Sequence, residues 1–234
     1  MPQIEVNGTS TYYEDSGKGH PLVLIHGGGL DSGSWRSQTA YLSEKYRVIT
    51  YDIRGHGRTE VPEGSYSMDD YVEDLRQLLD RLEVQQTYLA GFSIGGYIAL
   101  SFTLCYPERV DALILAGTNS GPTIDRVVKK SEEILKRIRS TKGNRAAMKY
   151  LGSHEANAAR PDLTDRLSEI ERPVLIIVGD RDVAAPPYIS EEMHRRIANS
   201  QMVVIPDSGH SCNEEQPDIF NAIVSDFLQG LEAA

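Results

Sequence analysis

The chain has 234 residues, 40% of them hydrophobic and 25% charged, a globular mixture that is ample for one large buried core and sets disorder aside. Its 24 basic and 34 acidic side chains leave a formal charge of −10 at pH 7, which disfavours nucleic acid and anionic membrane as partners and fits a neutral or small ligand. Two cysteines, Cys105 and Cys212, do not make a disulfide framework, and the longest apolar runs are far too short to span a bilayer.

The opening segment predicts a hairpin, with IEV and STYYE flanking Asn7-Gly8, a strong two-residue turn signal. MPQIEVNGTS has no basic segment followed by an apolar run, so no signal peptide is expected and a cytoplasmic protein is the simplest expectation. PLVLIHG (21–27) and YRVITYDIRGHG (46–57) are apolar runs ending in glycines, as strands buried on both faces require. Between them SGSWRSQTAYLSEKY predicts a helix carrying Trp35, Tyr41 and Leu42. SMDDYVEDLRQLLDRLEV (67–84) predicts a second helix, with Ser67 as cap, Asp70 at capping-box spacing, and Tyr71, Val72, Leu75, Leu78, Leu79 and Leu82 at helical spacing. TYLAGFS (87–93) is the next strand, and GGYIALSFTLCYPE the helix after it, with Cys105 expected as a small core residue. Strands follow at VDALILAG (110–117), VLIIVG (174–179) and MVVIPDSGH (202–210), and EEQPDIFNAIVSDFLQGLE predicts a closing amphipathic helix. Alternating strands and helices imply βαβ units and a mostly parallel sheet. Residues 121–170 break the rhythm with charged helical pattern, in which Ile124, Val127, Val128, Leu135 and Ile138 form one apolar stripe. An insertion leaving the carboxyl end of such a sheet, where ligands bind, is expected to be a lid.

The stretch GFSIGG (91–96) places Ser93 between that apolar strand and that helix. The G-x-S-x-G spacing alone arises by chance in roughly 8% of chains this long, so the context carries the weight. A sharp strand-to-helix turn exposes the serine hydroxyl, and the helix that follows aims N–H groups and its positive dipole end at the same spot. A serine hydroxyl is a weak nucleophile without a base. Of the histidines at 20, 26, 56, 154, 194 and 210, those at 20, 154 and 194 read as solvated. His26 and His56 adjoin glycine at strand ends, and His210, in a loop between the last strand and last helix, is favoured as the base. The orienting carboxylate lies in VGDRDVAAPP, which offers Asp180 and Asp182, with Asp125 a third candidate. HGGG, His26 to Gly29, lets backbone approach a substrate and, with the Ile94 N–H, can bind an oxyanion.

LIHGGG, YDIRGHGRT, AGFSIGG, VGDRDVAAPP and SGHSCNEEQP occur in this order along nearly the whole chain, which in this respect resembles the α/β-hydrolases, among them small carboxylesterases, enol-lactone hydrolases and cofactor-free perhydrolases. The resemblance implies an α/β-hydrolase fold, in which 1–120 and 171–234 form the core and 121–170 a small inserted helical lid. It selects Asp182, three residues after Gly179 and four before Pro186, as the acid beside His210. It points to Gly28 as the oxyanion donor joining Ile94, and makes His56 structural. It implies an ester or lactone substrate cleaved through an acyl-enzyme on Ser93, with no metal or organic cofactor. Carbon–carbon bond hydrolysis, perhydrolysis and a small-molecule receptor with vestigial hydrolysis are alternatives on the same fold. The residue after His210, commonly apolar or aromatic in the family, is Ser211 here, followed by Cys212, expected to be an inert buried thiol. Oligomeric state has no signature in the sequence.

Overall fold

In a computed structural model, which describes residues 2–61, 65–122, 129, 132–134, 136, 137, 139, 140, 152 and 154–233, the hairpin is formed by β1 (Gln3–Val6) and β2 (Thr9–Ser16). Asn7 and Gly8 both take positive φ, 45° and 71°, the geometry a two-residue hairpin turn needs. Beyond it lie β3 (Pro21–Ile25), β4 (Arg47–Tyr51), β5 (Thr87–Phe92), β6 (Val110–Ala116), β7 (Val174–Gly179) and β8 (Ser200–Ile205). The sheet runs β1-β2-β4-β3-β5-β6-β7-β8. β1–β2 and β2–β4 pair antiparallel, and every later pairing is parallel.

Alternation along these strands divides the core into two layers. Val23, Ile25, Leu113, Leu115 and Ile176 join one cluster, whereas Leu22, Leu24, Ala112, Ile114, Leu175 and Ile177 join the other. The first layer is covered by α2 (Met68–Arg81) and α3 (Ile94–Cys105), with α4 (Pro187–Arg196) adding Met193. Trp35, Leu42 from α1 (Arg36–Leu42), and Phe220, Val224 and Leu228 from α5 (Pro217–Glu232) cover the second. Each such buried Leu or Phe contributes about 1.5–3 kcal/mol relative to exposure. As expected of a capped helix, the Asp70 carboxylate accepts the Ser67 backbone N–H at 2.8 Å.

Three expectations need adjustment. The helix predicted from 32 is a 3-10 turn, Ser32–Trp35, followed by a short α1, because Asp31 takes the Gly33 N–H at 2.8 Å and Asp52 the Ser32 N–H at 2.7 Å, and Tyr41 faces solvent. The closing helix is divided into one turn, Cys212–Glu215, and α5, since Pro217 has no N–H to continue the first ladder. Cys105 is exposed rather than a core residue. It ends α3, an apolar helix whose sequence gives no polar face to mark where its last turn leaves the core. The stripe Ile124, Val127, Val128, Leu135 and Ile138 lies outside the described residues.

The loop after β4, DIRGHG, is tied to α2 by a buried ion pair that hydrophobic periodicity does not disclose. Arg54 Nε donates to Asp74 Oδ2 at 2.6 Å and its Nη2 to Asp74 Oδ1, with Asn7 Nδ2 donating to the same Oδ1 at 3.0 Å. Asp74 and Arg54 are 2% and 5% exposed, so removing one partner strands the other charge in the interior. Asp74→Ala is expected to cost about 3–5 kcal/mol, measured as a shift in the urea midpoint at unchanged m-value; a loss below about 1 kcal/mol would show the pair to be solvated.

Candidate active site

β5 lies at the middle of the sheet with all six residues buried, and Ser93 follows it directly. Ser93 has φ 55° and ψ −119°, a conformation that costs a non-glycine residue energy and persists only where surroundings enforce it. Its N–H donates to Ala116 O at 2.9 Å, and its carbonyl accepts the Thr118 hydroxyl at 2.6 Å. The turn closes because its flanks lack side chains. A Cβ on Gly91 would lie 2.2 Å from Gly95 O, and one on Gly95 would lie 2.3 Å from Ile25 O. Small residues at these two positions are therefore a packing requirement of the start of α3 against β3 and β5.

His210 sits in the loop between β8 and the turn at Cys212. That loop is pinned from both sides. The Arg181 N–H donates to Ser208 O at 2.9 Å, the Ser208 N–H to Asp180 Oδ1 at 3.1 Å, and the Gly209 N–H to Glu215 Oε2 at 2.6 Å. Nδ1 of His210 lies 2.8 Å from Asp182 Oδ2, and Nε2 lies 3.1 Å from Ser93 Oγ. A carboxylate only accepts, so Nδ1 carries the proton, and Nε2 is free to accept from the serine hydroxyl. The other oxygen of Asp182 accepts the Ala184 and Ala185 N–H groups at 2.8 Å each. Asp182 is 3% exposed; Asp180 is exposed, its carboxyl held below the usual range by the Ser208 N–H. The pair that the loop sequence left equivalent is thereby separated: Asp182 faces the imidazole and Asp180 braces the backbone beside it.

The HGGG segment passes along the other side of the serine. A Cβ on Gly27 would lie 2.7 Å from the Phe92 ring and 3.4 Å from Ser93 Cβ, and one on Gly28 would lie 3.7 Å from Ile94 Cγ2. Gly28 is exposed, next to the first residue of α3. His56, 6% exposed, meets His26 edge-on at 5.3 Å between centroids, and its Nδ1–H donates to Arg54 O, 3.1 Å away. His20 faces Asp111 at 3.1 Å, at the amino end of β3 and so at the opposite edge from Ser93, and His194 bonds the Ser200 hydroxyl. Cys212 is fully buried among Leu24, Trp35 and Phe220. Burial, with the nearby Asp182 charge, pushes its thiol up to about 12, so it is a protonated core side chain.

Ser93, Ile94 and His210 line a narrow cleft of about 50 Å³ together with Thr118, Asn119, Asn157, Arg160, Ala184 and Ala185. A larger concavity of about 530 Å³ lies between β2 and α1, lined by Glu14, Asp31, Arg36 and Arg58, where no nucleophile meets a base. The cleft members Asn119, Asn157 and Arg160 were not legible beforehand. Arg160 stands in HEANAARPDL, inside the insertion, where nothing distinguishes it from the other basic residues. Among the described residues no cluster of His, Cys, Asp or Glu could hold a metal ion, and no helix is long and apolar enough to cross a membrane.

With this geometry in hand, the alpha/beta hydrolase fold family profile matches residues 20–143 and a TAP-like protein profile matches 146–233. The chain belongs to the α/β-hydrolase fold family. It is similar to a thermophilic esterase from Thermogutta terrifontis, with TM-score 0.90 and 29% identity over 99% of each chain. It is 31% identical to 2-hydroxy-6-oxononadienedioate/2-hydroxy-6-oxononatrienedioate hydrolase of Burkholderia vietnamiensis, covering 93% of this chain and 90% of that one. It is 28% identical to 3-oxoadipate enol-lactonase 1 of Acinetobacter baylyi, covering 90% and 89%.

His26 gives this strand end a pH signature of its own. Its Nδ1–H donates to Gly27 O at 2.8 Å, and Nε2 accepts the Ile53 N–H at 3.0 Å, which occupies both nitrogens and leaves it no role as a base. Burial lowers its pKa from 6.5 to about 4. The unfolded chain binds the proton first, so the contribution to stability is complete above about pH 6.5 and is lost as pH falls toward about 4, by up to about 3 kcal/mol. Urea unfolding at pH 7 and pH 4.5 is expected to show a smaller acid-side loss in His26→Asn than in the parent; an equal loss assigns the effect to other groups.

Proposed function

We propose that this protein is a serine hydrolase of carboxylic esters or lactones, working through an acyl-enzyme. The observation that carries the reading is the continuous line from buried Asp182 through His210 to Ser93, at 2.8 and 3.1 Å, on a strained turn. Ser93 Oγ attacks the carbonyl carbon as His210 Nε2 takes its proton. Asp182 holds the Nδ1–H tautomer and stabilises the imidazolium without itself being protonated. The N–H groups of Gly28 and Ile94 receive the oxyanion, each such donor being worth about a hundredfold or more in rate. The imidazolium returns the proton to the leaving alcohol. Water, activated by the same base, then releases the acid. No metal or organic cofactor enters this scheme.

The 121–170 insertion is read as a lid over the cleft. In support, its carboxyl portion is anchored to the rim, with the Leu163 N–H on Ser120 O and the Tyr97 hydroxyl on Pro161 O, both at 2.8 Å. The names of similar proteins, an esterase and an enol-lactonase, support the ester or lactone class. Carbon–carbon bond hydrolysis is the second reading, favoured by the similarity to the Burkholderia vietnamiensis hydrolase.

A panel of p-nitrophenyl esters, lactones and vinylogous 1,5-diketones, run with and without a serine-directed organophosphate, separates these readings. Ester or lactone turnover is expected, with the phosphoryl mass on the peptide containing Ser93. Ser93→Ala is expected to lose at least about 10⁴-fold in kcat with the melting temperature retained, and Asp182→Asn about as much. Full activity in Ser93→Ala would end the assignment; turnover of the diketones alone would select the second reading.

A further inference from the structure

Arg160 is 7% exposed and lines the same cleft as Ser93 and His210, yet each of its hydrogen-bond partners among the described residues is neutral. Nε–H donates to Gly121 O at 2.9 Å, Nη1–H to Asn157 Oδ1 at 2.9 Å, and Nη2–H to Asn119 Oδ1. The face of the guanidinium lies over the Tyr97 ring, 4.5 Å from its centroid. Among the described residues no carboxylate comes within ion-pair distance of it. Asp162, two residues on, accepts the Thr164 N–H at 2.9 Å and acts on the guanidinium only at longer range. Among the described residues the five N–H groups of arginine are thus used at three places, leaving one donor on each terminal nitrogen. Two parallel donors on one planar cation match the two oxygens of a carboxylate. A buried charge with no directly hydrogen-bonded counter-ion is an expensive arrangement, and burial, outweighing the more distant Asp162 charge, lowers the Arg160 pKa to about 10.

Resting on the serine-hydrolase reading above and deepening it, we propose that Arg160 is a specificity-determining residue that binds a carboxylate of the substrate, so that the enzyme acts on small esters or lactones carrying an acid group close to the scissile carbonyl. The closeness follows from the lining of the cleft, in which Arg160, Ser93 and His210 face one small space, so a group held by Arg160 lies close to one in contact with Ser93. The positioning is rigid as well as local. Gly121 lies in the loop that follows β6, and Tyr97, which stacks on the guanidinium, lies one turn after Ser93 on α3. The cation is therefore fixed to the helix that begins at the serine.

The test compares ethyl hydrogen succinate with ethyl succinamate, a near-isosteric neutral ester, by ethanol release from the intact protein. The carboxylate ester is expected to be preferred at least about tenfold in kcat/KM, with the ratio falling to near one in Arg160→Met and to an intermediate value in Arg160→Lys. In parallel, calorimetry on Ser93→Ala measures binding of succinate and of inorganic phosphate. Succinate is expected to bind at least about tenfold more tightly than to the Ser93→Ala/Arg160→Met double variant, and more tightly than phosphate. Equal use of both esters by the parent protein, a preference that survives Arg160→Met, or phosphate binding in place of succinate overturns the proposal. If circular dichroism shows Arg160→Met to be unfolded, the parent's ester ratio and the succinate and phosphate titrations of Ser93→Ala decide by themselves. Arg160-dependent succinate binding with neither ester cleaved and Ser93 unlabelled would end the serine-hydrolase reading while leaving the carboxylate site standing.

Discussion

The tight turn at Ser93 is the constraint on which the rest of the rim depends. It holds a residue with a Cβ at φ 55°, and what holds it is backbone rather than side chain: the carbonyls of Ile25 and Gly95 pass where Cβ atoms at 95 and 91 would be. That close approach fixes the start of α3 against the ends of β3 and β5. From there the geometry is inherited. Ile94 becomes the first helical residue, Gly27 and Gly28 run past it, and Tyr97 and Thr118 pack one turn away. A looser turn would be less costly locally and would lose the common reference for all these groups.

The imidazole reaches this turn from the far side of the sheet through a second backbone device. β7 and β8 end side by side, and a Cβ on Gly179 would strike the carbonyls of Ser208 and Gly209 at 2.3 Å. The loop after β8 therefore lies directly on the loop after β7. Asp182 and His210 meet because their loops are stacked, and Asp180 joins the loops through the Ser208 N–H. Two neighbouring aspartates thus divide the work, one fastening backbone and one facing the ring, according to which side of the stacked loops each lies on.

How much of this was legible in the sequence depends on the scale of each signal. The strands were legible because each is a short apolar run closed by glycine or a turn residue, and α2 because its apolar residues keep helical spacing up to Leu79. Ser93 and His210 stood at recognisable strand ends. The choice of Asp182 over Asp180 came from resemblance, since loop path decides it and loop path is not written in local pattern. Cys105 was misread because α3 is apolar on nearly all sides, so periodicity could not say which end leaves the core. The division of the last helix was written in Pro217, and the composition of the run around it concealed that. Asp74 and Arg160 were invisible for one shared reason: a charged residue in a helical or charged segment reads as solvated, and only a tertiary partner reveals otherwise.

Those buried charges, set side by side, show what distinguishes the cleft. Asp52, fully buried, is met by the N–H groups of Ser32 and Arg58 at 2.7 and 2.8 Å and by the Arg58 side chain. Burial by itself would raise its pKa, and those donors outweigh it, so the carboxyl is held below its usual value. Asp74 has Arg54, and Asp182 has two N–H groups and an imidazole. In each of these the interior supplies the compensation, as the cost of an isolated charge in a low-dielectric medium demands. Arg160 alone among these four is hydrogen-bonded only to carbonyl and amide oxygens and stacked on an aromatic face, with the Asp162 charge acting at longer range. The chain carries a net charge of −10, so carboxylates are abundant, yet among the described residues none lies within ion-pair distance of this guanidinium. Without a directly bonded counter-ion, the cation keeps field to spare inside a cleft also lined by Ser93 and His210. An acidic protein surface repels an acidic ligand at long range, so recognition of one must be local, and a desolvated guanidinium in the cleft lined by Ser93 is where such recognition is strongest.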